Sequence, residues 1–436
     1  MTDNNVSAQR PIDIHVPVMV RLEGEGALTF KANNGQVEKL HLTIYEPPRL
    51  FEEFLIGRSF QDVPTMTARI CGICPIAYQM TSILALEQLF GVDPGDWVRD
   101  MRRLLYWGEW LQSHALHIHL LAAPDFFGFD NAIAMAEDHP EVVTRGMRLQ
   151  ALGNEMLRFL GGRSVHPIGM KVGGFHRAPT MEQANALLKK CEAALEDAKA
   201  VVAWCAQLDL PEDIVEFQSV AIHNDSEFGI MAGRLVSDQG LDITYEEHDE
   251  HFVEEQVEHS TAFYSRLDGQ SYFLGPLARV NLNFTQLPAE VQEWATQSGL
   301  SFPSQNMFDN VAARAVECHA ALVESIELLR RYQIPTHSFV EVQPKAGVGV
   351  FCTEAPRGMI YHRYEVDDNG KIVNATIIPP TSQNQLRIEE HLKASVDGYG
   401  LDHSDDDLRL YCERIIRNYD PCISCSVHFL KLDIER

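Results

Sequence analysis

Two pairs of cysteines stand almost the whole chain apart. Arg69-Ile-Cys71-Gly-Ile-Cys74-Pro75 lies near one end, and Asp420-Pro-Cys422-Ile-Ser-Cys425-Ser-Val-His428 near the other. Two thiolates in a C-x-x-C turn can converge on one soft metal, so each pair is a ready chelate. If one site takes all four thiols, it joins the two ends of the chain. Zinc ribbons place their pairs roughly 15–20 residues apart, so this separation fits a zinc ribbon poorly. Thiol redox chemistry is a further reading, but the thioredoxin-like context of such motifs is missing.

Other polar segments have plain readings. Arg21-Leu-Glu23-Gly-Glu25-Gly26 reads as a solvated charged turn, and Glu52-Glu53 as the charged first turn of a helix. His114, His117 and His119 are spaced by three and two, which keeps them from sharing one helical face, so they read as structural. The glycine-rich stretch from His166 to His176 lacks the strand–loop–helix pattern of a nucleotide cradle. Gly347 to His362, containing Glu354-Ala-Pro-Arg357-Gly, reads as a loop leading into a strand.

Both cysteine motifs, in this order and in a chain of this length, resemble the two signature segments of nickel–iron hydrogenase large subunits. Tyr78, where many respiratory members have histidine, and Glu46-Pro-Pro-Arg49 look more like the cytosolic pyridine-nucleotide-linked branch, which includes the sulfhydrogenases. The resemblance implies that Cys71, Cys74, Cys422 and Cys425 bind nickel. Cys74 and Cys425 would bridge to an iron carrying cyanide and carbon monoxide. Glu52, with Glu53 as the substitute, would share magnesium with His428, an ion that suits oxygen ligands. Arg357 would face the substrate and hydrogen-bond the cyanides, as a fixed guanidinium can. Thr381 would sit near a cyanide nitrogen, with Asp125 and Asp420 close to the metals.

The implied reaction is reversible heterolytic splitting of H2. Cys422 or Arg357 would accept the proton and Glu23 would carry it outward, a role that suits a carboxylate raised toward neutrality by burial. After these four cysteines no cluster-spaced set remains, so electrons must leave through an iron–sulfur small subunit. The branch resemblance implies a further flavin- and NAD(P)-binding diaphorase module. A maturation protease would remove residues 429–436 after His428. Three other readings stay open: a metal-free relative serving as a non-catalytic subunit of a respiratory-type complex, a structural zinc protein, and a thiol redox protein.

Positioning the cysteines falls to a mostly helical fold, α+β, with a long-helix bundle and small sheets near both termini. Val37–Tyr45 alternates with period two after an Asn34-Gly35 turn, which predicts a hairpin. Pro75 at a first turn and Gly91 past the end bracket an apolar helix over 76–90. The thiols of the first pair therefore lie at a helix N-terminus, where the dipole favours thiolate. Helices are predicted over 96–122, ending before Pro124, over 140–160, from a Thr180–Gln183 capping box to about Leu208, over 305–332, and over 405–418. Asp367-Asp-Asn369-Gly370 predicts a second hairpin. Residues 212–300 carry no clear pattern and read as packing and partner contact.

A single domain over residues 1–436 is expected. It comprises a β-rich part at 11–60, a helical core at 61–210 and 303–345, and a metal-site part at 346–436. The net charge of −26 disfavours nucleic acid and anionic membranes as partners. No apolar run long enough for a membrane span occurs, and the first residues do not resemble a secretory signal, so a cytoplasmic location is expected. Nine cysteines, an odd number, do not read as a disulfide framework. Cys191, Cys205, Cys318, Cys352 and Cys412 read as buried apolar positions.

Overall fold

The first sheet forms as the alternation requires. In this computed structural model, which describes residues 10–427, β1 (Ile12–Val16), β2 (Gly26–Asn33) and β3 (Gln36–Ile44) make an antiparallel meander. Leu40, Leu42 and Ile44 face inward. Strand β3 is an edge, yet its Leu42 N–H and C=O are taken by Glu389 and Gln385 side chains. Covering an edge in this way removes a template for aggregation.

Helix α1 (Pro75–Phe90) starts at Cys74 and ends on Gly91, whose φ of 69° is the left-handed cap that glycine favours. Helix α2 (Asp96–Leu116) runs through the centre with Trp107 and Trp110 fully buried. Beyond its first turn the helix also buries ionisable residues, among them Arg102, Arg103 and His114, so each needs a partner. Arg102 makes a fork to Glu87 (2.6 and 2.7 Å) and Arg103 one to Glu324 (2.6 and 2.9 Å), while His114 pairs with Glu317 at 2.8 Å. Around α2 pack α3 (Pro140–Gly161) and α5 (Asn310–Arg330), with α4 (Met181–Cys205) laid on both. The Thr180–Gln183 capping box opens α4 as predicted. The helix stops at Cys205, three residues short of the expected end.

The predicted helix over 96–122 differs from the structure. After Leu116 the backbone widens into a π-helical turn, His117–Ala122, and Pro124 then sits in the first turn of a short helix, Ala123–Phe127. Proline is at home there because it has no N–H to give. The segment around Glu354 also differs. It is a strand, β4 (Gly347–Ala355), that turns back into β5 (Gly358–Val366) through only Pro356 and Arg357. Strand β6 (Ile372–Ile378) completes that sheet after the Asp367–Gly370 turn. Helix α6 (Pro380–Tyr399) and helix α7 (Asp405–Tyr419) follow, and Ile423–Val427 forms a final 3-10 turn. The patternless stretch contains short strands, among them Val220–His223 and the hairpin of Phe252–Glu255 with Tyr264–Leu267.

Candidate metal centre

The N-terminal turn of α1 and the turn after α7 bring the four cysteines together. Cys71 and Cys74 Sγ are 2.7 Å apart, as are Cys422 and Cys425. Across the pairs, Cys71 to Cys422 is 3.6 Å and Cys74 to Cys425 is 3.8 Å. The 2.7 Å separations exceed a disulfide bond of roughly 2.05 Å, and all four residues are buried free thiols. Burial pushes the Cys74 and Cys425 thiols up, and hydrogen bonding to its neighbours pushes Cys422 up. Burial acts the same way on Cys71, but hydrogen bonds from the other three, with Arg357, outweigh it and hold it down. Four soft donors in a dry pocket fit thiophilic cations, which would replace the protons.

Each pair is fixed by residues distant in sequence. Cys74 caps α1, and the first-turn N–H groups of Ile76 and Ala77, which have no partner within the helix, donate to the Glu109 carboxylate at 2.6 and 3.0 Å. Burial pushes the Glu109 carboxyl well above its usual range. Gln112 donates to the Ile73 carbonyl at 2.6 Å. Arg49 joins the pairs directly. Its guanidinium donates to the carbonyls of Ile70 and Ser424, and its own N–H donates to Val427. Neither Arg49 nor Glu109 carries a spacing signal, because each acts on backbone far away along the chain.

Glu23 lies against the second pair. Its carboxylate accepts from the Ser424 N–H at 3.0 Å and lies 3.2 Å from Cys422 Sγ. The Glu23 carbonyl accepts from Ile423 N–H. Gly24 permits this approach: its φ is 88°, and a Cβ there would lie 2.7 Å from Ile423 Cβ. Glu46, reached through Ser424 Oγ at 3.4 Å and the Glu25 N–H at 2.7 Å, extends the acidic line outward.

Arg357 occupies the β4–β5 turn, fully buried. Its Nε donates to the Asp420 carbonyl at 2.7 Å and its Nη2 to the Asp420 carboxylate at 3.1 Å. Burial opposes the guanidinium charge, but Asp420 and then Cys422, Cys74 and Cys71 outweigh it. Thr381, in the first turn of α6, accepts from the Cys422 N–H at 3.0 Å. Asp125 bonds two arginines, Arg21 at 2.5 Å and Arg417 at 2.6 and 2.8 Å. It thereby fixes the segment that carries Glu23. The π turn leaves the Leu121 carbonyl to the same Arg21. Tyr78 is buried with its ring 5.9 Å from His362, and its hydroxyl has no partner.

Glu52 lies apart from the thiols and accepts from the Ile377 N–H at 2.6 Å. Burial raises its carboxyl to about 7. Burial and then Glu52 raise Glu254 to about 8, and one Glu254 oxygen is buried without a partner. Two buried carboxyls and an orphaned oxygen suit a hard divalent cation. The substitute Glu53 is exposed. His428 lies outside the described residues, as does the 429–436 segment.

The profile of the nickel-dependent hydrogenase family matches residues 49–145 and 205–428, both cysteine pairs included. The chain belongs to the nickel-dependent hydrogenases. Sulfhydrogenase 2 subunit alpha of Pyrococcus furiosus is 33% identical over 96% of this chain and all of its own length. The NAD-reducing hydrogenase HoxS subunit beta of Cupriavidus necator is 27% identical, with 94% of each chain covered. A crystal structure of an NAD+-reducing [NiFe]-hydrogenase in the H2-reduced state superposes with a TM-score of 0.86 at 26% identity, covering 96% and 99% of the two chains. This hydrogenase chain is thus the catalytic subunit type, and its fold joins the terminal segments at the four cysteines as the sequence predicts.

The remaining thiols are elsewhere. Cys191, Cys205, Cys318, Cys352 and Cys412 are all buried, and burial pushes Cys191, Cys205 and Cys412 up to about 12. The three histidines do not form a ligand trio. His117 donates to the Arg417 carbonyl at 2.8 Å and His119 to the Ala115 carbonyl at 3.0 Å. Among the described residues no helix is long and apolar enough to cross a membrane.

Proposed function

We propose that this hydrogenase chain catalyses reversible heterolytic cleavage of H2 and exchanges electrons, through iron–sulfur partner subunits, with NAD(P)+. Convergence of four buried thiols beside a buried guanidinium carries the reading. Cys71, Cys74, Cys422 and Cys425 hold nickel. Cys74 and Cys425 also hold iron bearing cyanide and carbon monoxide. When bound, the metal pair supplies the Lewis acidity and redox change that H–H cleavage needs. Glu52, with Glu254 beside it and His428, holds magnesium.

The chain's own groups manage charge and protons. Cys422 Sγ holds the proton, and Glu23, 3.2 Å away, takes it up. Ser424 and Glu46 form the next stage outward. Arg357, pinned by Asp420, sets one fixed positive charge beside the thiolates, where low dielectric makes it count. Thr381 holds the Cys422 backbone still and Asp125 the Glu23 segment.

Electron transfer needs a partner, since the other described cysteines are scattered singly through the core. The names of the HoxS and NAD+-reducing relatives support a pyridine nucleotide as the acceptor, while a flavin- and NAD(P)-binding module and a location in the cytoplasm follow from the branch resemblance. A maturation protease would cut after His428.

Nickel, iron and zinc content of the purified complex, measured with H2-dependent reduction of NAD+ and NADP+, tests the reading. One nickel per chain, lost together with activity in Cys422→Ser, is expected. Zinc as the sole metal in active preparations overturns it. A complex that reduces a dye but neither nucleotide overturns the acceptor alone.

A further inference from the structure

A second group of metal-type donors lies at the edge of the N-terminal sheet. His41 on β3, His259 in the loop before the Tyr264 strand, and Glu389 on α6 place one ligand atom each within 4.8 Å of one another. His259 Nε2 donates to Glu389 Oε1 at 2.9 Å, and the two imidazoles lie 3.9 Å apart between centroids, tilted by 33°. His41 Nδ1 is buried with no partner.

Covering the β3 edge explains Glu389, which accepts from Leu42 N–H, but not why two imidazoles face each other over it. His41 points away from the core face of its strand, since Leu40 and Leu42 on either side are the buried residues. It therefore contributes nothing to the sheet's apolar packing. Two neutral imidazoles and a carboxylate are a common donor set for a borderline ion, and they leave a fourth position for water. Bonds of roughly 2.0–2.2 Å to such an ion place neighbouring donors about 3.3–3.5 Å apart, within the span seen here. The carboxylate is also held from behind. Tyr264 hydroxyl donates to Glu389 Oε2 at 2.6 Å, and Leu42 N–H to Oε1 at 3.1 Å. Outer bonds of that kind orient ligands in metal sites.

We propose that His41, His259 and Glu389 bind one divalent transition ion of the zinc class, separately from the four-cysteine centre. Glu389 follows Thr381 by two helical turns and more on α6, about 12 Å along the axis. The ion ties β3, the 256–263 loop and α6 together, and α6 is the helix whose first turn holds Cys422. The site is independent of the hydrogenase reading, because none of its residues touches the cysteines.

Equilibrium dialysis of the intact complex, first stripped of loose ions with EDTA, against Zn2+ tests this. Wild type is expected to take up one more zinc per chain than either His41→Thr or His259→Ala, in which affinity falls at least about tenfold. Nickel content should stay unchanged in both. Zinc should also raise the melting temperature of wild type and leave that of the two substituted proteins where it was. Equal uptake by all three proteins, or none by wild type, overturns the site. Should a substituted chain fail to fold, carbethoxylation of wild type mapped by peptide mass decides. Protection of both histidines by zinc supports the site, and unaltered modification overturns it.

Discussion

Glu23 and Cys422 meet across nearly the full length of the chain, carboxylate to thiol at 3.2 Å, while the same carboxylate accepts the Ser424 N–H. The contact gives Glu23 a double part, as anchor for the cysteine turn and as the nearest base to Cys422 Sγ. A substitution can separate the two. Glu23→Gln keeps an oxygen for Ser424 but cannot take a proton. Nickel content should be retained, while H2-dependent acceptor reduction falls by roughly 10²–10⁴-fold, the usual worth of a positioned base. Metal analysis beside activity checks this; a variant with wild-type turnover would remove Glu23 from the proton route.

Gly24 is a stringent position for a different reason. A methyl group there meets Ile423 Cβ at 2.7 Å and Ser424 N at 3.0 Å, on a backbone with φ of 88°. Neither neighbour is a flexible tip. Gly24→Ala should cost about 1–3 kcal/mol in strain and overpacking, and the displaced second cysteine pair should lower nickel occupancy. Nickel per chain and the melting temperature report this. Full occupancy in a stable variant would show that the Glu23 turn does not hold the cysteines.

The cysteine centre was legible because its chemistry sits in two short motifs, and the fold because strong local signals agree with it. The Asn34-Gly35 turn, the proline and glycine around α1, and the Thr180 capping box each act within a few residues. What spacing could not reveal acts at a distance. Glu109 reads as one more charge on a helix until α1 is seen to end its N–H groups on it. Arg49 bonds carbonyls, which carry no side-chain signature. The short strands within 212–300 are set by what they cover, such as Ile222 on Glu354, rather than by their own pattern. The turn at Pro356-Arg357 is hidden for a related reason, because the strand ends on either side of it are buried and show no alternation.

Arg357 and Asp420 are buried together, so removing either leaves an uncompensated charge, at roughly 3–5 kcal/mol. Arg357→Lys is the sharper probe. It keeps a positive charge but loses the fork that bonds both the carbonyl and the carboxylate of Asp420. Activity should fall at least about tenfold with nickel still bound, whereas Arg357→Met should also lower stability. Equal activity in the lysine variant would mean that charge alone, not its placement, is what the site uses.

Acid should destabilise the chain through its buried histidines. Burial is the first cause at all three, holding His114 down to about 4 and His117 and His119 to about 3. These values lie below the roughly 6.5 of an unfolded chain. Stability from keeping them neutral is therefore complete above about pH 6.5 and is lost as the pH falls toward their folded values, because the unfolded chain then binds protons the folded one refuses. For such fully buried groups each contributes on the order of a few kcal/mol. His119 offers the clean test, since it stacks on Trp204 at 5.4 Å between ring centroids and 19° between planes, a contact that phenylalanine can keep. Melting temperatures of wild type and His119→Phe, taken from pH 7.5 to 5, should diverge as the pH falls, with the variant losing less. Parallel curves would mean that His119 binds its proton in the folded chain.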